Sequence, residues 1–380
     1  MPRWFSSVGR RAGQGLRPKS RDGAVVPLLD GKVVDVTGPG ITESWGVTCT
    51  DLGASVVAPN GKLVSVFGDT FSGRKVGQGD WRSPVVLIGT GDADHEIVYE
   101  RAGGDDPNYA RQLWYYVHDD ATTGWTRGGI STVIPSDLLC VGDSIYLHAI
   151  VNRGFGNVIW TEIWRSDDNG VSWTHMGEDA KFPADLYGGY AQCWSWDYEP
   201  DDGWVYVVAT GFQRDKGIIL MRVRPEDIGQ RSKYVSWGYA EGRWAWGQPA
   251  TPITPDGEKW GELTFRRMAQ GKWILGGFLA SRYAPGYRVV DSPVANLHTT
   301  ELQTPVVGSS WNDESHSTNK VAQLYGGYVL PGSRFDINGG VGLVVSQWQT
   351  ELGWPYRAMQ FKAALRDTSR TVHPPDPINL

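Results

Sequence analysis

The sequence predicts an all-β fold, a five-bladed β-propeller with a short basic N-terminal extension, on three observations. Short apolar strands alternate with Gly-rich turns, and no long amphipathic helix interrupts them. Five strand hairpins recur along the chain. One hairpin turn spaces acids, a Gly and a Trp in a pattern that suits the corner of a blade. The 380 residues include 49 Gly and 19 Trp, and only 21% are charged. Many short strands packed around aromatic side chains give such a profile.

The five hairpins pair 47–58 with 62–69, 144–151 with 158–165, 204–210 with 217–224, 262–268 with 272–279, and 325–330 with 342–348. Their separation is too wide for a short tandem repeat but suits blades joined by long loops. Just after the second hairpin, Ser166-Asp167-Asp168-Asn169-Gly170-Val171-Ser172-Trp173 fits S-x-D-x-G-x-x-W and resembles the Asp box of sialidase-type propellers. That resemblance implies a structural role: carboxylate and Gly shape the turn and Trp packs beneath it. The expected division is an extension over 1–40, a propeller over 41–362 and a tail over 363–380.

Composition excludes several function classes. A net charge of −6 disfavours a sequence-blind nucleic-acid binder. Cys49, Cys140 and Cys193 form neither a disulfide framework nor a C-x-x-C metal site, and the seven His lack ligand spacing, so no metal and no cofactor is expected. No apolar run is long enough for a transmembrane helix, so membrane insertion is not expected, and the N-terminus lacks the apolar core of a signal peptide. Residues 1–23 are basic and Gly-rich, which suits either a flexible tail or an arm that docks on a larger assembly.

The first hairpin sets the candidate chemistry. Its turn reads Ala58-Pro59-Asn60-Gly61-Lys62. Pro59 has the φ of the first corner position, and Gly61 can take the left-handed residue of a three-residue loop. Ala58 then faces Lys62, and counting back along both strands sets Asp51 directly opposite Asp69. A two-residue turn at Asn60-Gly61 would send the two acids to opposite faces; Pro59 favours the first register. Like charges facing each other across a ladder destabilise it. They suit capping acids or a cation site, or a functional pair in which one carboxylate raises the pKa of the other. Glycoside hydrolysis needs such a pair.

Glu262 opens the fourth hairpin after Trp260-Gly261 and is a third candidate catalytic acid. Asp197 lies among aromatics in Trp194-Ser195-Trp196-Asp197-Tyr198, and Tyr325 opens the fifth hairpin. Trp45, Trp81, Trp194 and Trp196 are candidate faces for sugar stacking, with Asp197 and Tyr325 as further substrate-binding candidates. A Trp in a β-protein is more often part of the core. Asp167, Asp168, Asp201 and Asp202 read as turn residues.

Taken in order, Thr50-Asp51-Leu52-Gly53, Phe67-Gly68-Asp69-Thr70-Phe71, the Asp box, Gly261-Glu262-Leu263, Tyr325-Gly326-Gly327-Tyr328 with Pro331, and Ser346-Gln347-Trp348 resemble the endo-D-arabinanases of glycoside hydrolase family 183. These are found in mycobacteria, other actinobacteria and their phages. The resemblance covers roughly 40 to 360. It implies a five-bladed propeller, hydrolysis inside the D-arabinan chains of cell-wall arabinogalactan or lipoarabinomannan, and acids at the positions of Asp51 and Asp69. It also implies a cell-wall polysaccharide as partner. The lack of a signal departs from an exported wall hydrolase and suggests a phage tail virion protein, with phage tail proteins as partners, or a cytoplasmic protein released at lysis. A non-catalytic glycan-binding or structural tail propeller is the competing reading, and a propeller glycosidase of other specificity is the third.

Overall fold

Each of the five hairpins lies inside one antiparallel sheet of the computed structural model, which describes residues 31–118, 129–154, 156–268, 271–335 and 340–368. Blade I holds Leu52–Val57, Leu63–Phe67, Val85–Thr90 and Val98–Ala102. Blade II holds Thr132–Val141, Ser144–Asn152, Val158–Ser166 and Thr174–His175, and Lys181–Pro183 adds to its third strand. Blade III holds Cys193–Glu199, Trp204–Thr210, Ile219–Val223, Val235–Ala240 and Arg243–Trp246. Blade IV is Trp260–Arg267, Trp273–Leu279 and Ala284–Val290. Blade V is Leu324–Val329, Val341–Trp348 and Tyr356–Ala363, completed on its outer edge by Gly31–Asp35. That last strand comes from the stretch read as extension, and it clasps the two ends of the propeller together. The basic segment 1–23 lies outside the described residues, as does 369–380 of the tail.

Both faces of each sheet pack on neighbouring blades, so the strands read as near-continuous apolar runs rather than as a clean alternation. Every residue of Leu63–Phe67 and of Trp273–Leu279 is buried. The first strands of the five blades stand side by side in a ring around the axis. Their starting ends carry Asp51, Thr132, Glu262 and Tyr325; their finishing ends lead to Val57, Val141, Glu199, Arg267 and Val329. Between the two mouths, Arg266 of blade IV grips Asp137 of blade II through two hydrogen bonds of 2.5 and 2.7 Å, and Ser195 of blade III donates to the same carboxylate at 2.5 Å. This buried pair ties three blades at the axis.

The Asp-box turn is structural, as expected. Asp168 accepts hydrogen bonds from Ser166, from the Ser172 amide and from the Ser172 hydroxyl, and the Trp173 indole donates to the Gly170 carbonyl. The turn joins Val158–Ser166 to Thr174–His175 and leans on blade I, where Asn169 accepts from the Asn60 amide.

Candidate active site

The turn of the first hairpin has the three-residue form. Ala58 N–H bonds the Lys62 carbonyl, Gly61 N–H bonds the Ala58 carbonyl, and Gly61 takes φ 78°. The ladder keeps the expected register from Val57↔Leu63 to Ala54↔Val66. A β-bulge at Leu52-Gly53 then slips it by one residue, so that Leu52 pairs with Phe67. Leu52 (φ 66°) and Gly53 (φ 106°) form the bulge, and Ser346 of blade V holds it by accepting the Leu52 N–H at 2.8 Å. The direct pairing of Asp51 with Asp69 is therefore corrected. The Asp51 carbonyl takes the Gly68 N–H, and Asp69 lies two residues beyond Phe67, where the ladder ends. Bulges of this kind re-aim side chains at sites. Blades IV and V repeat the device, with shifts between Gly261 and Leu263 and between Gly326 and Tyr328. Glu262 itself takes φ 38° at the first of these.

The two acids still act on one another. Asp51 is half-buried, and its pKa is pushed up to about 7, first by burial and then by the charge of Asp69, with a smaller contribution from Glu262. The Tyr325 hydroxyl donates to Asp51 Oδ2 at 2.9 Å and, with the phenol of Tyr356, pulls the other way. Asp51 Oδ1 is buried without a hydrogen-bond partner. Asp69 has a different environment. Its Oδ1 accepts from the Thr132 hydroxyl at 2.6 Å and the Trp81 indole at 2.8 Å. Burial raises its pKa, while these two donors and the nearby His118 oppose the rise. An unmatched buried oxygen costs an anion more than a neutral carboxyl group, so the geometry favours the proton on Asp51.

Glu262 stands beside this pair. Arg214, from a blade III loop, donates to its Oε1 from Nε at 3.0 Å and from Nη2 at 2.5 Å, and Oε2 is buried without a partner. The same guanidinium lies 5.4 Å from the Tyr325 ring centre and 5.0 Å from that of Phe278. Tyr325 thus belongs to the site, but its buried ring is faced by Arg214 and its hydroxyl serves Asp51. Trp81 also belongs to it as a donor to Asp69. Its ring lies parallel to His118 at 3.9 Å and to Phe71 at 5.9 Å, which corrects its reading as an open sugar platform.

Three further candidates are corrected. Trp194 and Trp196 are fully buried, Trp194 being stacked on His148 at 4.0 Å, so neither ring can meet a sugar. Asp197 sits toward the finishing end of its strand, where Oδ2 accepts the Arg267 N–H at 2.8 Å. It lines a cavity of about 370 Å³ at the opposite mouth, together with Arg266 and Arg267. Trp45 is half-buried and packs against the main apolar core.

The family described as a domain of unknown function, DUF4185, matches residues 37–362. The chain belongs to this family. An uncharacterised 35.9 kDa protein of Mycolicibacterium smegmatis is 30% identical over 337 residues, covering 84% of this chain and 93% of the relative. The notoamide biosynthesis cluster protein J' of Aspergillus versicolor is 29% identical over 319 residues, covering 80% of this chain and 82% of its own. Among solved structures, a presumed hydrolase of Bacteroides ovatus superposes with a TM-score of 0.57 at 13% identity, covering 85% of this chain and 87% of that one. A family 43 β-1,3-galactosidase with bound galactodeoxynojirimycin gives 0.50 at 10% identity, with 89% and 96% covered. These likenesses show that the DUF4185 chain shares the propeller fold found in glycoside hydrolases.

Four residues of the DUF4185 site carry little sequence signal. Thr132 opens the inner strand of blade II, Arg214 lies in a blade III loop, Tyr356 opens the third strand of blade V, and His118 follows blade I. Trp81 reaches Asp69 because the chain folds straight back on itself, pairing Thr70 with Arg82 and Phe71 with Trp81. Among the described residues, no group of three His, Cys, Asp or Glu side chains is placed to hold a metal ion.

Proposed function

We propose that this protein is a glycoside hydrolase that cuts within D-arabinan chains of mycobacterial cell-wall polysaccharide, with Asp51 as proton donor and Asp69 as the carboxylate that attacks the sugar or activates water. The observation that carries the reading is the unequal pair at the axial mouth. Asp51 is held near a pKa of about 7 with one oxygen unmatched, while Asp69 accepts two hydrogen bonds on one oxygen. A glycosidase needs this division: one carboxyl group is protonated near neutral pH to protonate the leaving oxygen, and the other is ionised. Glu262, although paired with Arg214, still acts on Asp51 with its negative charge and favours the proton there. The arabinan substrate is supported by the ordered motifs that resemble endo-D-arabinanases and by the mycobacterial relative.

The test is incubation with mycobacterial arabinogalactan and chromatography of the released products. Oligosaccharides of D-arabinose are expected. Binding without release would favour the glycan-binding propeller instead, and release from a different polysaccharide alone would keep the hydrolase and overturn the substrate. Carriage on a phage tail belongs to the same proposal, and proteomics of purified particles tests it.

A further inference from the structure

We propose that His118 is a positioning residue held as an imidazolium, a fixed positive charge beside Asp69 that keeps Asp69 ionised while Asp51 carries the proton. The inference deepens the hydrolase reading and rests on it for its catalytic meaning, but its structural part stands alone.

Both ring nitrogens of His118 face an oxygen atom. Nδ1 of His118 lies 2.8 Å from the Ser131 carbonyl oxygen, and Nε2 lies 2.9 Å from Gln112 Oε1. A carbonyl oxygen can only accept. The Gln112 amide is fixed in the sense that presents its oxygen, because its NH₂ group donates to the Trp114 carbonyl at 3.1 Å and the Tyr116 carbonyl at 2.9 Å. Turning the amide over would set its oxygen against two carbonyls. Both neighbours of the imidazole are thus acceptors. A neutral ring has one N–H and one lone pair, so either tautomer would press a lone pair against an acceptor. Only the doubly protonated ring satisfies both sides.

The surroundings favour the cation further. His118 lies parallel to the Trp81 indole at 3.9 Å, and a cation over an indole face is stabilised by the ring quadrupole. That indole is the one that donates to Asp69. The charged groups acting on the ring are Asp69, just past the first hairpin, and Asp80, in the turn before Trp81. Tyr116 lies 4.9 Å away on its own segment, with its hydroxyl bonded to the Ser83 carbonyl and the Val133 amide. Burial is the largest influence and leaves the imidazole pKa below its usual value, against the upward pull of the Ser131 carbonyl and of the Asp69 and Asp80 carboxylates. The case for the cation is the hydrogen-bond geometry: with an acceptor at each nitrogen, a neutral ring would leave one of them opposed.

The consequence is a sorted pair. Asp51 and Asp69 share one negative charge more easily than two. With an imidazolium beside Asp69 and the charge of Glu262 acting on Asp51, the shared proton rests on Asp51.

The experiment reads the ring directly. Long-range ¹H–¹⁵N spectra of the full ¹⁵N-labelled chain would be recorded near neutral pH, with the His118 signals assigned by their loss in His118→Asn, or in His118→Gln should the first variant fold poorly. Two nitrogen shifts of the imidazolium type are expected. The pattern of a neutral tautomer at that pH overturns the proposal whether or not arabinan is cut. The kinetic arm compares pH profiles of kcat/KM. In His118→Asn the acid limb, set by Asp69, should move up by roughly one unit, the size of one neighbouring charge. An unmoved acid limb with a uniformly lower rate would show a role in shape alone and would also overturn the proposal. Failure of the hydrolase reading would instead appear as no turnover in the wild-type chain, with the nitrogen shifts unaffected.

Discussion

Gly68 stands opposite Asp51 in the first hairpin, and a β-carbon placed on it would lie 2.5 Å from Asp51 Oδ1. The space for the acid is therefore made by an absent side chain. Gly68→Ala should push the Asp51 carboxyl group away while leaving the hairpin paired. A displacement near 1 Å can cost about 100-fold in rate. Turnover on arabinan should fall by that order with little change in melting temperature by circular dichroism. A variant with full turnover would show that the exact place of Asp51 does not matter.

Asp51→Asn and Asp69→Asn should each lower turnover by about 10²–10⁴-fold, the usual contribution of a positioned proton-transfer group. Asp51→Asn should also change how stability depends on pH. Asp51 has a folded pKa of about 7, well above that of an unfolded Asp, so between about pH 4 and pH 7 the native state binds the extra proton. This group therefore contributes stability at low pH that is lost as pH rises through 7, on the order of 1 kcal/mol per unit of pKa difference. Denaturant unfolding from pH 4 to pH 8 should show this loss in the wild type and a flatter profile in Asp51→Asn. Parallel profiles would remove Asp51 as the buried proton carrier.

The fold was legible because turn chemistry and apolar runs are local. Pro59 and Gly61 give the hairpin turn, and Ser166 to Trp173 give a blade corner. The slip at Leu52-Gly53 was not legible, since Ser346 of another blade holds it. The same holds for Arg214 on Glu262 and Thr132 on Asp69, contacts between residues far apart in sequence. Trp194 and Trp196 misled for the opposite reason: a run of aromatics beside an acid looks like a sugar site, but on an inner strand its indoles face neighbouring blades. The inner strands of blades II and III gave no hairpin signal of their own, because Ser136-Asp137 and Ser195 interrupt their apolar runs.

Trp194→Ala should accordingly act on stability and not on binding. Its ring is fully buried among His148, Phe182 and Trp196. Emptying such a site costs about 3–5 kcal/mol. Denaturant unfolding should show this loss, while KM of the folded fraction stays within a few-fold of wild type. A large rise in KM without destabilisation would restore Trp194 as a substrate contact.

Tyr325→Phe isolates the hydroxyl that donates to Asp51 Oδ2. That bond favours the ionised carboxylate and lowers the Asp51 pKa. Its loss should raise the pKa and move the alkaline limb of the kcat/KM profile to higher pH, with the acid limb unmoved. An alkaline limb that stays in place would assign that limb to another group.

The Arg214–Glu262 pair makes the sharpest test of whether Glu262 belongs to the chemistry. Its oxygens are divided: Oε1 takes both guanidinium hydrogen bonds, and Oε2 is buried with no partner. Removing Arg214 alone strands the carboxylate, and an unsatisfied buried polar group costs about 1–3 kcal/mol, more when charged. Replacing both residues removes the stranded charge. Arg214→Met should therefore destabilise the fold more than Arg214→Met combined with Glu262→Gln, and a double-mutant cycle should give a clear coupling energy. Activity should follow a different order. The unpaired charge of Glu262 in Arg214→Met would hold the proton on Asp51 to higher pH, moving the alkaline limb up. Glu262→Gln removes a charge that raises the Asp51 pKa and should move that limb down, with a reduced rate at neutral pH. Opposite movements of one limb by two partners of one ion pair would mark Glu262 as the group that tunes Asp51. Equal losses of rate at every pH, with both limbs fixed, would confine the pair to holding blade III against blade IV.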